Sequence, residues 1–120
     1  MSKIISYRDL IVWQKSVSLS KKVYLQTQNF PKTEIYGLTS QMRRASVSIA
    51  CNIAEGQARN STGEFKQFLG ISRGSLAELE TLIILAKEMK LLGENDFAEL
   101  TAACQEASKL LNGLMKALNR

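Results

Sequence analysis

The chain has 120 residues and a mass of 13.4 kDa, with 45% hydrophobic residues, 22% charged residues and a single proline. That length is expected to make one domain over 1–120 with a core large enough to need no disulfide or metal. Sixteen Lys and Arg against eleven Asp and Glu give +5, which favours a polyanionic partner, and the absence of His removes the commonest general base and metal ligand.

Long segments without Pro or Gly clusters predict helices throughout. Met1 to about Tyr7 is expected to be a frayed or partner-docked arm. The first helix is expected from about Arg8 to Gln28, with Leu10, Trp13, Val17 and Tyr24 at helical spacing and Ser20 interrupting the stripe. The second is expected after Pro31, running to about Arg59. Ser61-Thr62-Gly63-Glu64 reads as a capping box that starts the third sharply. The third continues through Leu69, Leu76, Leu79, Ile83 and Ala86 to Leu92, where Gly93 offers a left-handed C-terminal cap. The fourth opens at Asp96, with Glu99 three residues on, and carries Leu100, Ala103, Ala107, Leu111, Leu114 and Leu118. Four such helices with short connections predict an all-α, up-down-up-down antiparallel four-helix bundle.

On a helical wheel the second helix separates two stripes. Leu38, Met42, Ala45, Ile49, Ile53 and Gly56 form the apolar face. Gln41, Arg44, Ser48, Asn52, Glu55 and Arg59 form a polar line about 100° away, suited either to a subunit interface or to a structural network in which Arg44 and Glu55 are satisfied at a helix junction. Arg43 points elsewhere, free for solvent, a neighbouring subunit or a phosphate. On the third helix Gly70 and Gly74 each cost about 1 kcal/mol relative to Ala, which close helix packing would offset. Its apolar arc is wide, with Ile71, Leu82 and Met89 extending the face of Phe65, Phe68, Leu69, Leu76, Leu79 and Ile83. An arc wider than one core seam suggests a second buried contact and hence a homo-oligomer.

Catalytic chemistry is thin. Glu78 and Glu80 point to different faces of a helix, and Gly70 to Ser75 lacks the Gly-Lys-Ser/Thr of a phosphate loop. Cys51 and Cys104 have no CxxC context and read as reduced core residues. No catalytic residue, metal site or cofactor is expected, and the chain is not read as an enzyme. No run of about 18 apolar residues can span a membrane, and Arg8, Asp9 and Lys15 interrupt any leader, so a cytoplasmic location is expected. Residues 1–74 carry eleven bases and four acids, the remainder five bases and seven acids. The candidate phosphate contacts are Lys15, Lys21, Lys22, Arg43, Arg59, Lys66 and Arg73.

Phe30-Pro31-x-x-Glu34-x-x-Gly37-Leu38-x-x-Gln41-x-Arg43-Arg44-Ala45-x-x-Ser48-Ile49-x-x-Asn52-Ile53-Ala54-Glu55-Gly56, with Arg59, Phe65-x-x-Phe68-Leu69 and Gly74-Ser75-Leu76-x-Glu78-Leu79-Glu80, resembles the four-helix bundle family encoded in intervening sequences of bacterial 23S ribosomal RNA genes. Leu10-x-Val12-Trp13 matches as well. The resemblance is close over the first three helices, while the fourth matches by length and apolar pattern. Ser16 and Ser72 stand where the family often has Ala, and Cys51 is idiosyncratic. The resemblance implies a homopentameric ring and kinship with the accessory variability determinants of diversity-generating retroelements, which bind structured RNA and a reverse transcriptase. It brings no catalytic residues. Its motif residues Gln41, Arg44, Ser48, Asn52 and Glu55 coincide with the polar line read from the wheel. The leading expectation is a non-enzymatic, homo-oligomeric accessory that holds structured RNA or RNA/DNA hybrid, with a reverse transcriptase as a further partner. The alternative is a protein-interaction scaffold, or a passenger protein of the intervening sequence with no nucleic-acid role.

Overall fold

The computed structural model describes residues 6–119. Four helices, α1 (Ile11–Thr27), α2 (Leu38–Gln57), α3 (Thr62–Glu88) and α4 (Glu94–Leu118), form an antiparallel bundle of 47 × 24 × 19 Å, with no strand among the described residues. Each helix packs on its neighbours in the chain, and α4 closes back on α1. The apolar face read on α2 is the face that is buried: Leu38, Met42, Ala45, Ile49, Ile53 and Gly56 all lie in the interior. Leu69, Leu76, Leu79 and Ile83 of α3 meet them there, with Leu100, Ala107 and Leu111 of α4.

The register of α1 differs from the expected stripe. Its core face is Val12, Ser16, Leu19, Val23 and Thr27, whereas Trp13 and Val17 are half-buried and Tyr24 is exposed. Ser16 and Thr27 tolerate the interior because each hydroxyl donates to the carbonyl four residues back, Val12 O and Val23 O, both at 2.7 Å. Polar letters therefore conceal part of the true core face, and the apolar letters beside them mark a flank.

Helix ends also depart from expectation. α1 starts at Ile11, after a 3-10 turn at Tyr7–Asp9 capped by Ser6: the Arg8 amide donates to Ser6 Oγ, and the Ser6 amide to Asp9 Oδ2. Tyr7 stacks edge-on against Trp13 at 5.1 Å, so Ser6 and Tyr7 belong to the bundle; residues 1–5 of the expected arm lie outside the described residues. α2 starts at Leu38, seven residues after Pro31, because a 3-10 turn at Lys32–Glu34 swings the Glu34 carboxylate over the helix end to accept the Leu38 amide at 3.2 Å. A carboxylate at that end also meets the positive pole of the helix. Gly37 leaves it room, since a Cβ there would stand 2.9 Å from Glu34 Oε1. At α3 half of the expected capping box forms. Ser61 Oγ accepts the Glu64 amide at 3.2 Å, but the Glu64 carboxylate takes the Ser61 hydroxyl and not its amide.

The α3–α4 turn is made differently from the sequence reading. α3 ends at Glu88, and the left-handed residue is Lys90, at φ 62°. The Leu91 amide reaches Ala86 O and the Lys90 amide reaches Lys87 O, both at 2.9 Å, the paired bonds of a Schellman cap. Gly93 is extended and stands at the N-cap of α4, which starts at Glu94 and not after Asp96.

The glycines of α3 do not mark close packing within the chain. A Cβ on Gly70 or Gly74 would meet nothing within 4 Å. The close approach is at Gly56 on α2, where a Cβ would stand 2.6 Å from Phe68 Cβ and 3.1 Å from Phe65 Cδ1. α2 and α3 are the most extensively packed pair of helices, and the buried Ser72 hydroxyl bridges them by donating to Ile49 O at 2.9 Å.

Candidate functional site

Two grooves flank α2. The first, about 380 Å³, runs between α2 and α3 and is lined by Gln41, Arg44, Ala45, Ser48, Ser75 and Glu78. It contains Gln41, Arg44 and Ser48 of the motif line, while Asn52 and Glu55 lie beyond its lining. The Ser48 and Ser75 hydroxyls are hydrogen-bonded at 2.9 Å, and Asn52 Nδ2 donates to both Ser48 O and Ser48 Oγ, at 2.8 and 2.9 Å. The Ser48–Ser75 bond joins α2 to α3, and Asn52, bonded within α2, holds the Ser48 hydroxyl in place for it, which accounts for both as structural members of the line. Arg44 and Glu55 do not meet. Glu55 is held by Arg59 at 2.9 Å, while Arg44 has no ion pair among the described residues and lines the open groove with Glu78.

The second groove, about 340 Å³, lies between α1 and α2 and is apolar: Tyr7, Trp13, Val17, Val47, Ala50 and Ala54 line it, with Ser20 and Cys51. It continues past Val17 and Ser20 along Lys21, Tyr24 and Leu25. The apolar letters of α1 that miss the core thus form a wall of this groove. Cys51 is exposed here and is not a core residue; Cys104 is fully buried, and burial, then the charge of Glu80, pushes its thiol from 9.0 up to about 12. A thiol so raised stays protonated and unreactive at neutral pH.

The seven candidate phosphate contacts do not share one surface. Arg43 is not free: its Nε donates to Thr27 Oγ1 at 3.0 Å, its Nη2 to Tyr24 O at 3.4 Å, and its guanidinium lies 4.7 Å from the Tyr24 ring centre, clamping α2 to the end of α1. Lys15 and Lys22 reach across to α4, pairing with Glu106 at 3.5 Å and Glu99 at 3.2 Å. Arg59 holds Glu55 and Glu64 and lies over Phe68. Lys21, Lys66 and Arg73 make no ion pair among the described residues. The sequence could separate free bases from engaged ones only with knowledge of which helices are neighbours.

Among the described residues no three His, Cys, Asp or Glu side chains gather to hold a metal, and no helix is long and apolar enough to cross a membrane. Ile71, Leu85 and Met89 of α3 are exposed, at 51%, 44% and 54%, while Leu82 joins the core. Two of the three residues that widened the α3 arc therefore remain uncovered.

No curated protein matches the chain in sequence. A crystal structure of a protein with unknown function from the S23 ribosomal protein family of Bacteroides thetaiotaomicron VPI-5482 has the same fold, with a TM-score of 0.79 at 22% identity over 88% of this chain and 99% of that one. The family profile described as 23S rRNA-intervening sequence protein matches residues 8–113, which hold all four helices but the last residues of α4. With its helices, its α2 motif line and its bundle accounted for, the chain belongs to the 23S rRNA-intervening sequence protein family.

Proposed function

We propose that the protein is a non-enzymatic, homo-oligomeric accessory that binds structured RNA or RNA/DNA hybrid through its phosphates, working beside a reverse transcriptase in the manner of retroelement accessory proteins. The observation that carries the assembly is the pair of uncovered apolar surfaces on different faces of the bundle. One is the α1–α2 groove; the other is the exposed line of Ile71, Leu85 and Met89 on α3. Two different patches on one chain favour a heterologous contact, which closes into a ring when the rotation allows. The pentamer implied by the family resemblance is such a ring. Five copies would raise the net charge from +5 to about +25.

Multivalency supports the nucleic-acid reading. Weak phosphate contacts repeated around a rigid ring give avidity without base readout, and each phosphate neutralised adds to the salt dependence. A second reading, a protein-interaction scaffold, is favoured by the α2–α3 groove, whose facing Arg44 and Glu78 suit a protein surface better than phosphate. Fluorescence anisotropy with a structured RNA hairpin separates the two. The nucleic-acid reading expects binding at about 50 mM salt that weakens at least a hundredfold by 200 mM. Absence of binding at low salt, or binding indifferent to salt, contradicts it.

A further inference from the structure

The net charge is sorted between the two ends of the bundle. The half holding the start of α1 and the end of α4 (residues 6–18, 48–75 and 106–119) has seven bases and four acids. The other described half has seven of each. Within the basic half the acids are largely neutralised: Glu106 is held by Lys15, and Glu55 and Glu64 by Arg59.

Four bases of this half share the α3–α4 side. Lys66 and Arg73 stand seven residues apart, on the same line of α3 as Glu80 and Lys87. That line faces α4: Glu80 shares a small cavity with Phe97 and Cys104, and Lys87 lies 4.2 Å from the Phe97 ring centre. On α4, Lys109 and Lys116 are also seven apart and exposed, on the side away from the core. The carboxylates of this helix that flank α1, Glu99 and Glu106, are drawn off by Lys22 and Lys15. None of the four bases makes an ion pair among the described residues. Because the helices are antiparallel, Arg73 stands near the level of Lys109 and Lys66 near that of Lys116. Each pair of levels is separated by about 10 Å, at 1.5 Å of rise per residue. Between these levels Gly70, Ser108 and Asn112 are small or amide-bearing and carry no charge.

We infer that Lys66, Arg73, Lys109 and Lys116 form the phosphate-binding surface, a four-cornered cationic face that takes the sugar–phosphate backbone of a structured RNA. This deepens the nucleic-acid reading above and rests on it. It moves the contact away from Lys15, Lys22, Arg43 and Arg59, which are occupied within the chain, and adds two residues of α4. Four cations without an interleaved carboxylate suit phosphate; the mixed α2–α3 groove does not.

The test replaces all four with Gln, which keeps helix propensity, and compares the variant with a Lys32→Gln, Lys90→Gln control at exposed bases of the other end. Binding to a structured RNA hairpin is read by anisotropy across a salt series, and mass by light scattering. The face predicts at least a tenfold loss of affinity at 100 mM salt and a salt slope lower by about one unit per base removed. Mass should be unchanged and the control within about twofold of the parent. Parent and variant binding RNA equally would overturn the face while leaving the nucleic-acid reading intact. A parent that binds no RNA at low salt overturns both. A variant with altered mass shows the face to be a contact between copies and also overturns the inference.

Discussion

Replacing Gly56 by alanine will destabilise the fold by about 2 kcal/mol, although alanine is the better helix former by about 1 kcal/mol. The added Cβ would lie 2.6 Å from Phe68 Cβ and 3.3 Å from the Phe65 carbonyl, atoms fixed to the α3 backbone, so α2 and α3 must separate to admit it. Separation loosens the seam that also carries the Ser72–Ile49 and Ser48–Ser75 bonds. The same change at Gly113, where a Cβ meets nothing within 4 Å, will leave stability unchanged or raise it by up to about 1 kcal/mol. Urea denaturation of both variants checks the contrast. Equal shifts of the same sign would show that the α2–α3 approach at Gly56 does not control stability.

Alkaline pH will expose the burial of Cys104. Its folded thiol is raised to about 12, whereas the unfolded thiol ionises near the ordinary value of 9.0. The sign follows from linkage: the unfolded state loses its proton first, so the contribution is complete below pH 9 and is lost as pH rises toward 12, at about 1.4 kcal/mol per unit once the unfolded thiol is ionised. Cys104→Ala is less stable than the parent at pH 7, since it leaves a small cavity. Between pH 9 and 10.5 that gap should narrow by roughly 1.5–2 kcal/mol, because only the parent carries the titrating thiol. Parallel stability curves for parent and variant across this range would contradict the assignment.

The sequence made some of this fold legible and hid the rest for identifiable reasons. The core face of α2 can be read because Leu38, Met42, Ile49 and Ile53 are apolar and regularly spaced. The core face of α1 cannot, because Ser16 and Thr27 enter the interior by bonding their own backbone, while Trp13 and Val17 line a surface groove. The α3–α4 turn is misread because Lys90 adopts the left-handed conformation that composition assigns to Gly93. Gly70 and Gly74 suggest close packing, yet the packing glycine is Gly56, and nothing in one helix alone says which glycine faces a neighbour.

The candidate surfaces divide in the same way. The polar line of Gln41, Arg44, Ser48, Asn52 and Glu55 is visible on a wheel because it lies on one helix. The state of each base is not, because the partners of Lys15, Lys22 and Arg43 come from other helices. The clean cationic face emerges only once α3 and α4 are side by side. Counting along the chain places the excess charge in residues 1–74, whereas in space it gathers at one end and draws on the last turns of α4.

Multivalent phosphate binding requires assembly, since one bundle of +5 offers only a few phosphate contacts and a ring repeats them. Light scattering coupled to size exclusion, on the full chain without nucleic acid, measures this directly. A ring of five gives a mass of about 67 kDa from chains of 13.4 kDa. A species of 13.4 kDa at micromolar concentration would leave the α1–α2 groove and the α3 apolar line uncovered, and would contradict the multivalent reading.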